Sequence, residues 1–193
     1  MDTINELFQE QIKDLHSAEK QLVKAIPRMI KAASCDELKK AFQSHLNETE
    51  MHITRLEKIA KACGFSPTGK VCNGMKGLLE EAVEAAGEEG DDAIVDAGLI
   101  AAAQRVEHYE IAGYGTSRRL ATLAGYDDHA KTLSETLDDE NAANRALTDV
   151  AETVLYPSIM AAEERELDSD DDEESDADLA SSKPKTARAT TKK

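Results

Sequence analysis

Residues 101–115 read AAAQRVEHYEIAGYG, and this stretch decides the fold class. Glu107 and Glu110 stand three positions apart, so on a helix they are neighbours on one face, with Gln104 a turn earlier. Ala101, Ala102, Ala103, Gly113 and Gly115 are small enough to let another helix approach closely. The stretch therefore reads as a packed helix that carries two carboxylates.

The same period extends on both sides, over a run of about residues 92–124 that closes at Gly125. Upstream, residues 3–33 repeat apolar side chains at Ile4, Leu7, Phe8, Ile12, Leu15, Leu22, Ile26 and Met29, the three-and-four spacing of a long amphipathic helix. A second run over 36–63 aligns Leu38, Phe42, Leu56 and Ile59 and meets a capping glycine at Gly64. A fourth begins near residue 127 with Leu133, Leu137, Leu147 and Val154, and Pro157 should end or kink it. Between the second and third runs, residues 64–92 carry Pro67 and six glycines and keep a helical pattern only around 76–86. Two short links and one long one predict an all-α, antiparallel four-helix bundle with ferritin-like connectivity, because a long connector can cross the bundle end to end. An up-down-up-down order stays open.

Composition agrees. Aromatic residues are only 4% of the chain and tryptophan is absent, while unbranched helix formers dominate. With 193 residues, 40% of them apolar, one domain is expected over residues 1–162. Residues 163–178 hold eleven acidic side chains and the last stretch is small, polar and basic, so residues 163–193 are expected to be a disordered tail. No secretory leader and no run near the roughly 18 apolar residues of a membrane span is visible, so a cytoplasmic protein is expected. Cys35, Cys63 and Cys72 form no CxxC pair and read as reduced thiols. The formal charge of −16 disfavours nucleic acid and acidic membrane and favours cations.

Polar residues that fall on apolar stripes carry the chemistry, since ionised glutamate is rarely buried without compensation. In the first helix Glu19 lies four after Leu15 and three before Leu22. In the second, SHLNETEMHI over 44–53 places His45, Glu48 and His52 on one stripe, with either histidine able to reach the face of Glu48 and His52 preferred. The third supplies Glu107 and Glu110; the fourth supplies Glu140, three after Leu137 and seven before Leu147, with Asn144 a turn later. Such a set of carboxylates repels itself unless cations bind. Oxygen ligands with imidazole suit two ions of iron, or manganese, and the expected metal set is Glu19, Glu48, His52, Glu107, Glu110 and Glu140. His16, His108 and His129 read as surface or helix-end residues.

The segments LHSAEKQL, HLNETEMHITRLEKI, AAQRVEHYEIAGYGT and LxxTLDDExxANxxLTxVAE together resemble the YciE/YciF family of bacterial ferritin-like proteins over residues 3–162. The resemblance implies a bundle that forms a homodimer, a dinuclear site distantly like that of rubrerythrin, and a link to general, osmotic or oxidative stress. One departure stands out. Rubrerythrins carry Glu-x-x-His on their second and fourth helices, but Glu48 is followed by Met51 and Glu140 by Ala143 at that spacing.

Two functions are compatible with these residues. In one, a dimetal centre acts on O2 or peroxide in a catalase-like or ferroxidase-like way, with Glu48 and Glu107 bridging, Glu19, Glu140 and His52 terminal, and Glu110 labile. In the other, the chain is a non-enzymatic stress scaffold with structural metal or none. Nucleic-acid binding through the basic end is disfavoured by the acidic block beside it.

Overall fold

In the computed structural model, which describes residues 1–165, every regular element is helical. Helix α1 spans Ile4–Ala32 and starts with a capping box: the Glu6 amide donates to Thr3 Oγ1 while the Glu6 carboxylate accepts from the Thr3 amide. Helix α2 spans Asp36–Ala62, α3 Asn73–Ala85, α4 Asp92–Leu123 and α5 Asp127–Val150. Gly64 and Gly125 take positive φ at the ends of α2 and α4, the left-handed caps that glycine adopts without a Cβ penalty.

Cross-helix partners fix the topology. Going up α1, partners on α2 and α4 run downwards: His16 meets Glu57 and Glu19 meets His52, while Asp14 meets Tyr109 and Ser34 meets Asp96. Helices α2 and α5 run antiparallel through Arg55–Thr136 and His45–Glu140. Hence α2 and α4 point the same way, and the 63–91 connector must return the chain along the bundle. This is the ferritin-like crossover, and the up-down-up-down order is excluded.

The connector is more ordered than its glycines suggest. Helix α3 begins at Asn73, three residues before the expected start, with the Cys72 sulfur accepting from the Met75 amide. Gly74 is required there, since a Cβ would come within 2.8 Å of the Tyr109 ring. Pro157 does not end the fourth run. After α5 the ladder widens into a π-turn over Ala151–Leu155, in which Tyr156 N–H reaches back five residues to the Ala151 carbonyl, and helical conformation continues through Pro157 to residue 165. The register slip accommodates a residue that has no N–H of its own. Residues 157–165 divide off from Met1–Tyr156 and are described only as helical. The expected tail lies, from residue 166 onwards, outside the described residues.

Helix α2 has no side-chain cap of its own; the buried Asp96 of α4 takes that place, accepting from the Ser34 amide at 2.9 Å and the Cys35 amide at 2.7 Å. A carboxylate at a helix N-terminus faces the positive end of the dipole. Asp96→Ala is therefore expected to cost about 1–3 kcal/mol by removing the charged acceptor of the Ser34 and Cys35 amides, with Asp96→Asn costing less. Chemical denaturation of both variants checks it.

Candidate metal centre

Two apolar clusters fill the bundle. One is built around Leu22, Leu38, Phe42 and Leu99, the other around Phe8, Ile12, Leu56 and Tyr114. Between them lies a layer of ionisable side chains. Glu19, His52, Glu110 and Glu140 are 0% exposed, Glu107 2% and His45 7%. Each helix of the bundle contributes: α1 gives Glu19, α2 His45 and His52, α4 Glu107 and Glu110, and α5 Glu140.

The six side chains fall into two groups that share Glu140. His45, Glu107, Glu110 and Glu140 each present a ligand atom within 4.8 Å of the others, and so do Glu19, His52 and Glu140. His45 Nε2 lies 3.4 Å from Glu107 Oε1 and 4.0 Å from Glu110 Oε2, and its Nδ1 lies 3.9 Å from Glu140 Oε2. His52 Nδ1 lies 3.1 Å from Glu140 Oε1 and 3.4 Å from Glu19 Oε1. Among the described residues, nine of the eleven buried polar side-chain atoms without a hydrogen-bond partner belong to these six residues. Native interiors leave few such atoms, and a convergent set of them could hold a cation.

Electrostatics show the same conflict. Burial pushes Glu107 up to about 8 and Glu110 and Glu19 upwards as well, with neighbouring carboxylates adding to it. Burial alone would lower the histidines. The surrounding carboxylates outweigh it, Glu107 foremost for His45 and Glu140 for His52, and raise them to about 9 and about 10. Protons thus do, in part, the neutralising work that divalent ions would do. Hard oxygen donors with two imidazoles suit iron or manganese.

Of the expected ligands, Glu19, His52, Glu107, Glu110 and Glu140 converge. Glu48 does not join either group: its side chain is 32% exposed, its Oε2 is 3.8 Å from His45 Nδ1, and the imidazole of His45 beside it lowers its pKa. Thr49 takes the fully buried position next to it, its hydroxyl donating to the His45 carbonyl. His45 and His52 are not alternatives, because both enter the layer. His16, expected at the surface, is buried against Glu57. A pocket of about 180 Å³ lined by Ala41, Ser44, Ala142, Ala143, Glu48 and Glu107, among others, reaches His45.

Two supporting residues had no signal in the sequence. Tyr114, wholly buried, donates its hydroxyl to Glu19 Oε1. Asp139 accepts from Arg55 at 2.6 Å and faces His52 Nε2 at 3.3 Å.

Residues 3–159 match the family described as Domain of unknown function (DUF892). Protein YciF of Escherichia coli (strain K12) is 43% identical over 152 residues, covering 78% of this chain and 92% of that protein. The crystal structure of the E. coli stress protein YciF superposes with a TM-score of 0.76, covering 78% of this chain and 96% of that one. YcfI, described as a putative structural protein from Rhodopseudomonas palustris, is 42% identical with a TM-score of 0.75 and the same coverage. A ferritin-like, diiron-carboxylate protein from Bacillus anthracis str. Ames shares the fold at a TM-score of 0.61 and 16% identity, covering 78% of this chain and 99% of that one. The chain thus belongs to the DUF892 family of YciF-like proteins with a ferritin-like fold.

Proposed function

We propose that the chain holds a dinuclear iron or manganese centre and acts on O2 or peroxide under oxidative or osmotic stress, as a homodimer in the cytoplasm. The observation that carries this reading is the convergence of orphaned donor atoms from six buried side chains on one layer of the core. Supporting it are the stress protein named among the relatives and the diiron-carboxylate protein that shares the fold.

His45, Glu107 and Glu110 would hold one ion, Glu19 and His52 the other, and Glu140 both. When bound, a redox-active pair supplies or accepts the electrons that reduce or oxidise a small oxygen species. The protein's own residues set the rest. The apolar clusters above and below exclude bulk water from the layer. The pocket beside His45 is lined by four alanines with Phe42 and Leu147 and admits only small molecules, and Glu48 at its edge, held ionised by His45, sets a negative charge at the entrance. Glu48 thus takes a role at the entrance in place of the bridging role expected of it.

Metal analysis and peroxide turnover of protein produced in iron- and manganese-supplemented medium test the proposal. Two ions per chain and metal-dependent loss of peroxide or uptake of O2 are expected. Two ions without turnover would leave a scaffold with structural metal, and absence of metal under both conditions would overturn the centre itself.

A further inference from the structure

Resting on that metal centre, we propose that Asp139, clamped by Arg55, is a positioning residue that fixes His52 with its Nδ1 lone pair towards the Glu19–Glu140 half of the centre. A neutral imidazole has one N–H and one lone pair, and the hydrogen bond of one nitrogen decides which atom is free to bind a cation. His52 Nε2 faces Asp139 Oδ2 at 3.3 Å, and an ionised carboxylate can only accept, so the N–H belongs on Nε2. Nδ1, at 3.1 Å from Glu140 and 3.4 Å from Glu19, is left for the ion.

Asp139 is itself held. Arg55 Nη1 donates to the same Oδ2 at 2.6 Å and to Thr136 Oγ1 at 3.0 Å, which ties α2 to two successive positions on one face of α5. The other ligand of this half is supported too: Tyr114 donates to Glu19 Oε1 and leaves Oε2 without a partner, while its ring meets the His52 ring edge-on at 6.0 Å. The His45 half is built differently, since among the described residues neither ring nitrogen of His45 has a hydrogen-bond partner. Outer partners of this kind raise ligand basicity and lock ring orientation, and their loss typically costs about 10–100-fold in metal affinity. The two halves are therefore unequal, and Asp139 should act on one of them alone. A plain structural tie between α2 and α5 would act on neither.

The experiment is titration of the full-length, chelator-stripped protein with Co(II), read by visible absorption, for wild type, Asp139→Asn and Asp139→Ala. Each is repeated on a His45→Ala background, where only the His52 half remains to be read. Asp139→Ala is expected to weaken that half about 10–100-fold, Asp139→Asn less because its amide oxygen still accepts, and both effects should persist when His45 is absent. The step that depends on His45 should not move. Melting in chelator reports any general loss of fold, and the isosteric Asp139→Asn carries the test if alanine is not tolerated. Unchanged binding in both variants, or equal weakening of both steps, would overturn the positioning role while leaving the centre in place. Wild-type protein that takes up no Co(II) would overturn the centre and this role with it.

Discussion

Glu140→Leu is expected to abolish loading of both ions, reducing affinity by well over the roughly 100-fold that an outer partner commands, while making the metal-free protein more stable. Glu140 is the one side chain common to both donor groups, with Oε1 towards His52 and Oε2 towards His45, so a single change removes a ligand from each. Its carboxylate also raises the pKa values of Glu19, Glu107 and Glu110 by repulsion. Leucine fills a similar volume without charge. Neither histidine is left unpaired by the change, because His52 keeps Glu19 and Asp139 and His45 keeps Glu107, so repulsion among the carboxylates falls without stranding a buried charge. Lower metal content together with a higher melting temperature in chelator is a combination that ordinary core damage does not produce. Two ions retained per chain in the variant would contradict the shared-ligand assignment.

How far this site could be read from the sequence depends on helical phase. Glu19, Glu107, Glu110 and Glu140 each lie three or four residues from leucines or from each other, and the core stripe passes through them without ambiguity. Helix α2 offered two stripes: His45–Glu48–His52 and His45–Thr49–His52 both advance by threes and fours. The stripe through Thr49 is the buried one, because a threonine hydroxyl can satisfy itself on the carbonyl four residues back. Chemical type favoured Glu48, and packing chose Thr49. Asp139 could not be singled out either, since it sits in the acidic run Asp138-Asp139-Glu140 and becomes distinctive only when Arg55 and His52 approach from another helix. The fold was more legible: four periodic runs and one long link point to the crossover, with the up-down-up-down order excluded only by the cross-helix partners, whereas the start of α3 depends on a cysteine acting as cap and the passage through Pro157 on a π-turn.

Metal-free protein is expected to lose stability steadily as pH rises from about 5 to 9, and bound metal is expected to cancel most of that loss. Glu107 is raised from an ordinary 4.5 to about 8 in the fold. Between those values the folded state binds more protons than the unfolded chain, so the stability linked to Glu107 is complete below about 4.5 and gone above about 8. His45 and His52, raised from 6.5 to about 9 and about 10, contribute fully below 6.5 and lose that contribution as pH climbs through 9 and 10. Glu19 and Glu110, also raised, add in the same direction. Ions displace these protons when they bind, so folding of the loaded protein no longer depends on protonating the layer. Ligand at a thousand times its dissociation constant adds about 4 kcal/mol per site, and each kcal/mol is worth roughly 2–4 °C in a domain of this size. Melting curves should therefore show the stripped protein falling by on the order of 10 °C between pH 5 and pH 9, with the loaded protein nearly level over the same interval. The gap between the two should widen with pH. A stripped protein whose melting temperature is level or rising across that interval would mean that the six buried side chains are not in electrostatic conflict, and the reason for expecting cations among them would go with it.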